Sequence, residues 1–444
     1  MIFYDLARKV NAKRKQYLKK QAGQLLSPVR RIEFVAPPST GRFCAMTFDD
    51  GPCALASNPP HGDAGLTETL LQTLEEYGAK GTFDVVGNTG DNYPDEEGKP
   101  GDFSWSGVQY DHYPQYGQDQ LAGAANRPEL VKRILEGGHE ITNHSYVHRL
   151  FGPQKAVYAG RHHFQNLDEV VEDLRKLHSL LEEEYGYRMK LGRPPHYIDK
   201  IPAGGTAYDA YRVLGYNYMA ASYDGGGWLP SDGDYDRDVE KMVEPLKRLL
   251  EENPDSLNGQ IIFQKDGCNM SLQTPIADAL PRQLELLKQA GYQVITVSQL
   301  LEMSPFEDVA DTSFEMPFIR ELLAAGHTVG YRNNSFQGDR MVTVEELMLM
   351  LCPPDLLRVE KPLDYNHLVR IAKEHAQVLS IPWNSPLLMG NVLLSSALHH
   401  GVQVEESHFK DQSAVPRKYA VEFVAGMVRL SSSDDRITEE HPEE

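Results

Sequence analysis

Phe43-Cys44-Ala45-Met46-Thr47-Phe48-Asp49-Asp50-Gly51-Pro52 is the stretch that decides the architecture of this chain. Its first six residues read as a short buried strand. The strand runs into two adjacent carboxylates and a Gly-Pro turn. Like charges side by side repel, and neither acid suits a core, so the pair needs a cation between or beside it.

Working outward, short β-type runs alternate with helical ones. LTETLLQTLEEYG (66–78), PELVKRILEGGHEI (128–141), LDEVVEDLRKLHSLLEEEYG (167–186), DVEKMVEPLKRLLEE (238–252) and LPRQLELLKQAG (280–291) carry helical periodicity, the second closing in a strand. GTFDVVG (81–87), YNYMAASYD (216–224), GQIIFQKD (259–266) and YQVITVS (292–298) read as further strands. Alternation of this kind predicts parallel βα units, hence a barrel-like or doubly wound α/β domain. Catalytic groups in such folds gather at the carboxyl ends of the strands. Asn143-His144-Ser145-Tyr146-Val147-His148 follows one such end. Its HxxxH spacing predicts two imidazoles on one face of a helical turn, where they can chelate one ion.

The 444 residues include 44 Lys+Arg against 64 Asp+Glu, a formal net charge of -20. So acidic a chain would repel a phosphate backbone, which argues against nucleic acid as a partner. No run of eighteen apolar residues occurs, so no transmembrane segment is expected. Cys44, Cys53, Cys268 and Cys352 are too scattered for a disulfide framework and form no CxxC pair. They read as buried thiols, with a Cys44–Cys53 bridge as the alternative.

Residues 1–35 form a basic arm: the first 31 carry nine Lys/Arg and only Asp5 as an acid, with loose helical spacing and no secretory pattern. Residues 36–303 hold the βα pattern, interrupted at about 88–126 by a stretch rich in Gly, Tyr, Asp and Pro. Its Trp105, Tyr110, Tyr113 and Tyr116 read either as the lining of a sugar groove or as part of an ordered lid. Residues 304–430 turn helical and contain a degenerate repeat, aligned by placing Gly326 on Gly401. In each copy a helix ends at the glycine, a loop reaches Phe336 or Phe409, and a second helix starts at Thr343 or Pro416. The tail, residues 431–444, is polar and acidic and reads as disordered.

TFDDGP and NHSYVH, with KGTFDVVG and GGHEITNH between them and LKQAGYQVITVSQLL at the close, resemble the polysaccharide deacetylases of the NodB-homology type, carbohydrate esterase family 4. The resemblance implies a distorted (β/α) barrel followed by the C-terminal helical repeats. It also implies a metal-dependent deacetylase that hydrolyses N-acetyl groups of a glycan such as peptidoglycan or a chitin-like oligomer. Asp50, His144 and His148 match the metal triad, for a divalent ion, Zn²⁺ before Co²⁺, Ni²⁺ or Mn²⁺. Asp49 matches the general base, Arg193 the arginine that orients it, and the backbone N–H of His196 an oxyanion donor. Tyr197, Asp224 and Trp228 fall with His196 at substrate-binding positions.

Two departures stand out. The fourth motif, usually Asp-x-x-Asp-Trp, reads Asp224-Gly225-Gly226-Gly227-Trp228, and the position of the catalytic histidine in the fifth is Lys265. Both halves of a His–Asp acid dyad are replaced together. Three readings stay open: Lys265 as the acid, a substitute histidine (His196, His162 or His163), or an inactive carbohydrate-binding relative. A small-molecule C–N amidase is a further alternative. The repeats resemble S-layer homology modules, which implies cell-wall polysaccharide as a partner or, given their weakened motifs, a packing or dimerisation domain. The family and the repeats point outside the cell or to the wall, whereas the lack of a visible signal peptide allows a cytoplasmic location.

Overall fold

The structure is a computed structural model that describes residues 21–55, 64–91, 104–105, 108–109, 118–153, 162–271, 273–376, 390–410 and 412–439. Tyr110, Tyr113, Tyr116 and the first twenty residues of the basic arm lie outside these. The chain divides into two units, one of residues 32–304 and 360–362, the other of residues 1–31, 305–359 and 363–444.

In the first unit nine strands form one sheet: β1 Arg31–Ile32, β2 Arg42–Asp49, β3 Thr82–Val85, β4 Glu140–Asn143, β5 Leu191–Gly192, β6 Asn217–Met219, β7 Tyr223–Asp224, β8 Ile261–Lys265 and β9 Tyr292–Ile295. Their order is β1-β6-β5-β4-β3-β2-β8-β7, with β9 also on β2. Every pairing recorded from β2 to β9 is parallel. β2 is central and buried from Phe43 to Asp49. It pairs along Ala45–Asp49 with β8, along Thr47–Asp49 with β3, and along Arg42–Ala45 with β9. The stretch 216–224, expected as one strand, is two. β6 and β7 lie near opposite ends of the strand order, yet only residues 220–222 separate them. Four Cα steps from Met219 to Tyr223 span about 14 Å at most, so the sheet must curl until its ends approach. The result is a half-barrel.

Helices α1 Leu66–Glu76, α2 Pro128–Glu136, α3 Leu167–Tyr185, α4 Ala207–Leu214, α5 Tyr235–Glu252, α6 Ile276–Gln289 and α7 Val297–Met303 accompany the strands. α3 shows why these segments are helical. Val170, Val171, Leu174, Leu177 and Leu181 recur at three- and four-residue spacing and are buried. The Asn166 side chain accepts from Glu169 N at the start, and Gly186, at φ 63°, ends the helix in the left-handed conformation. Each such fully buried leucine contributes about 1.5–3 kcal/mol.

In the second unit, α8 Met316–Ala324, α9 Val344–Leu351, α10 Pro354–Leu357, α11 Tyr365–Ala376, α12 Gly390–His400 and α13 Arg417–Glu439 surround an apolar core that includes Phe306, Ile319, Tyr331, Phe336, Leu347, Phe409, Val421 and Val424. α13 continues to Glu439, so the part of the tail that is described is helical, not disordered as its composition predicts. The helix is started by residues with a buried face, Ala420 to Ala425, and propagation through a polar stretch then adds one hydrogen bond per residue fixed.

Candidate metal and catalytic site

The carboxyl ends of β2, β3 and β4 place five polar side chains, Asp49, Asp50, Asp84, His144 and His148, around one buried point. Asp49 ends β2, and Asp50 follows it at φ 81°, which turns its side chain away from the strand direction. Asp50 N donates to Asp84 O at 3.2 Å, and Val86 N to Gly51 O at 2.8 Å, so the turn is tied to β3. Gly51 is required by a close approach: a Cβ there would lie 1.9 Å from Asp266 Oδ2. Its peptide bond to Pro52 is cis.

His144 and His148 do not sit on a helical turn. The segment after β4 is a loop, with Ser145 at φ 77° and His148 at φ 52°. The reason lies in α3. Asp173 Oδ2 accepts from Ser145 Oγ (2.7 Å) and Tyr146 N (2.8 Å), and its Oδ1 from Val147 N (3.1 Å). Asn143 Oδ1 accepts from Ser145 N at 3.0 Å. These side chains take the backbone donors that a helix would have used. Both imidazoles still converge, because His144 Nε2 and His148 Nε2 each lie 3.2 Å from Asp50 Oδ1.

These three donors lie within 4.8 Å of one another and all three residues are buried. A separation of 3.2 Å is close to the ~3.3 Å between ligands of a tetrahedral ion with bonds near 2.0–2.1 Å. One oxygen and two nitrogens suit a borderline divalent ion and leave a coordination position open. The donor set therefore fits a metal. His144 Nδ1 lies 2.8 Å from Arg193 O and 2.8 Å from Asp84 Oδ2. Asp84 Oδ2 has no hydrogen-bond partner among the described residues, so the carbonyl is the aligned acceptor. Nδ1 is thus held from the side of the Arg193 carbonyl, and the ring is oriented with Nε2 facing Asp50.

Electrostatics separate the two neighbouring acids. Burial alone would raise Asp50, but Lys265, His148 and His144 outweigh it and hold its carboxyl well below the usual range. Burial pushes Asp49 up to about 7, against the pull of Arg193 and His144. Arg193 follows β5 and is fully buried. Its Nη1 forms an ion pair with Asp49 Oδ1 and donates to Thr47 Oγ1 at 3.0 Å, while Nε and Nη2 face the carbonyls of Met219 and Ala220 at 3.3 Å.

Lys265 ends β8, opposite Asp49 in register, and its Nζ forms an ion pair with Asp50 Oδ2. A Cβ on Gly227 would lie 3.9 Å from Lys265 N and 3.1 Å from Met242 Cε, so the two departures from the family pattern are neighbours in space. The His196 ring packs 5.3 Å from that of His148, and the Arg193 guanidinium carbon lies 5.5 Å from the centre of the Tyr197 ring. Asp224 and Trp228 pair with each other instead: Trp228 Nε1 donates to Asp224 Oδ2 at 3.0 Å, both exposed. His163 Nδ1 is engaged by Phe164 O at 2.9 Å. All four cysteines are free thiols, with no Cys44–Cys53 bridge.

Sequence reasoning missed Asp84, Asp173 and Asp266. A carboxylate ending the strand beside β2, in GTFDVVG, was the available signal for Asp84. Asp173 lies inside a regular amphipathic helix and gave none. Asp266 is buried with Thr67 Oγ1 at 2.6 and 2.8 Å from its two oxygens, and burial raises it to about 7 despite that hydroxyl. Its cost to stability is absent below about pH 4, accumulates as the unfolded chain alone ionises, and is fully present above about pH 7. Asp266→Asn is therefore expected to stabilise the protein by on the order of 2–4 kcal/mol at pH 8 and by little at pH 4, measured by urea denaturation at both values.

Residues 36–218 match the family described as polysaccharide deacetylase. A peptidoglycan-N-acetylglucosamine deacetylase of Bacillus cereus is 27% identical over 268 residues, 60% of this chain and 90% of that protein. The peptidoglycan-N-acetylmuramic acid deacetylase PdaC of Bacillus subtilis is 26% identical over 262 residues, 59% of this chain but 39% of the relative. The solved structure of PdaC covers 59% of this chain and 91% of its own, with a TM-score of 0.38 and 22% identity.

Proposed function

We propose that this chain, which carries a polysaccharide deacetylase domain, is a metal-dependent hydrolase that removes N-acetyl groups from a glycan of the peptidoglycan or chitin type. The observation that carries the reading is the convergence of Asp50, His144 and His148 beside a separate, buried Asp49. Asp50, His144 and His148 would hold a divalent ion, Zn²⁺ by donor chemistry. Such an ion supplies Lewis acidity, acidifying water and polarising the acyl oxygen. Asp49 takes the proton of the attacking water. Arg193 fixes the Asp49 carboxylate by its ion pair and its anchors on Thr47, Met219 and Ala220. The backbone N–H of His196 serves the developing oxyanion, while Tyr197, Asp224 and Trp228 contact the sugar. Lys265 is the proton donor left for the departing amine, and its ordinary pKa near 10 makes it a slow acid.

That last assignment has a direct check. Lys265→His combined with Gly227→Asp rebuilds the imidazole–carboxylate pair. It is expected to raise kcat for acetate release by about tenfold or more. Substrate class is tested by incubating the Zn²⁺-loaded protein with acetylated chito-oligomers, intact peptidoglycan and small acetamides. Release from the first two alone supports the reading, and release from acetamides alone favours a small-molecule amidase.

For the C-terminal unit, the S-layer-like reading carries wall polysaccharide as partner, but one observation favours a packing role. Arg417, which follows Pro416 at the start of the second helix of the second copy, is fully buried. Its Nε donates to Phe336 O at 2.9 Å and its Nη2 to Val329 O at 2.5 Å, and its guanidinium lies over the Tyr331 ring. It staples one copy to the other.

A further inference from the structure

Asp50 uses its two oxygens for different partners. Oδ1 faces both imidazole Nε2 atoms, while Oδ2 is held by the ammonium of Lys265. The Lys265 side chain is only 16% exposed, so water screens its charge poorly. An ammonium held this close to the ligand carboxylate repels a divalent ion bound to the same group, with little water between to screen it.

We propose that Lys265 is a built-in competitor of the metal, which holds the ligand carboxylate and makes the chain bind its divalent ion more weakly than Asp50, His144 and His148 alone would. This rests on the reading of those three residues as the metal ligands. Removal of the ammonium takes away that repulsion and leaves the full charge of the Asp50 carboxylate to the ion. The role differs from that of an orienting residue, because loss of an orienting group weakens binding and loss of a competitor tightens it.

The test is Co²⁺ binding to the full chain by titration calorimetry and by the Co²⁺ absorption spectrum, with no substrate present. Lys265→Met is expected to lower the Kd for Co²⁺ by at least about tenfold. Lys265→Arg, which keeps the charge, should leave it near the wild-type value, and Lys265→Gln serves as a second neutral variant if Lys265→Met fails to fold. Tighter binding in the neutral variants, including binding seen only in them, supports the proposal. An unchanged or raised Kd in both overturns it. His148→Ala separates the two ideas. If it abolishes Co²⁺ binding while the neutral variants bind no tighter than wild type, only the competitor role fails. If wild type and neutral variants alike bind no Co²⁺, the metal reading itself fails.

Discussion

Asp49→Asn is expected to reduce metal-dependent acetate release by about a thousandfold or more, within the range general bases contribute and near its upper end. Asparagine keeps the shape of the side chain and can still accept from Arg193, but it cannot take the proton of the attacking water. The proposed metal ligands are Asp50, His144 and His148, so the variant should still bind one divalent ion. Arg193 loses its ion-pair partner in a fully buried setting, which costs stability, so circular dichroism and a denaturant midpoint must accompany the assay. A folded, metal-loaded and inactive protein is the expected outcome. Activity within about tenfold of wild type would remove Asp49 from the role of base.

The second large effect is on folding. Arg193→Met is expected to destabilise the first unit by about 3–5 kcal/mol, because it leaves Asp49 buried without its cation. The methionine fills much of the volume but replaces none of the bonds to Thr47, Met219 and Ala220. Urea denaturation of the two proteins measures the difference. Arg193→Lys should recover only part of the loss, since a point ammonium cannot serve four acceptors spread around a planar guanidinium. A loss below about 1 kcal/mol would mean that the ion pair is solvated or replaceable.

Much of this was legible in the sequence because burial and chemistry spoke together. Phe43–Phe48 had to be a buried strand, and Asp49–Asp50 at its end had to be neutralised. The partners were foreseeable in kind: His144 and His148 by spacing, Arg193 by family resemblance. Their geometry was not. The HxxxH spacing fits a helical turn, and nothing local says that Asp173, on α3, will take the Ser145 hydroxyl and the backbone donors of Tyr146 and Val147. Long-range competition of this kind has no signature in a window of ten residues. The break between β6 and β7 was hidden for a similar reason, since the curl of the sheet, not the local pattern, decides where residues 216–224 must part. Lys265 marks the limit most clearly. Its replacement of a histidine was visible, whereas its pairing with Asp50 followed only once β8 and β2 were set side by side in register.

Metal-dependent deacetylation is measured as acetate release from an N-acetylated chito-oligomer, taken on the same samples as metal content. One Zn²⁺ or Co²⁺ per chain and multiple turnovers are expected, both lost on chelation and both restored when the ion is returned. One metal per chain with glycan binding but no acetate above background would contradict this, and would make this chain a carbohydrate binder on a deacetylase scaffold.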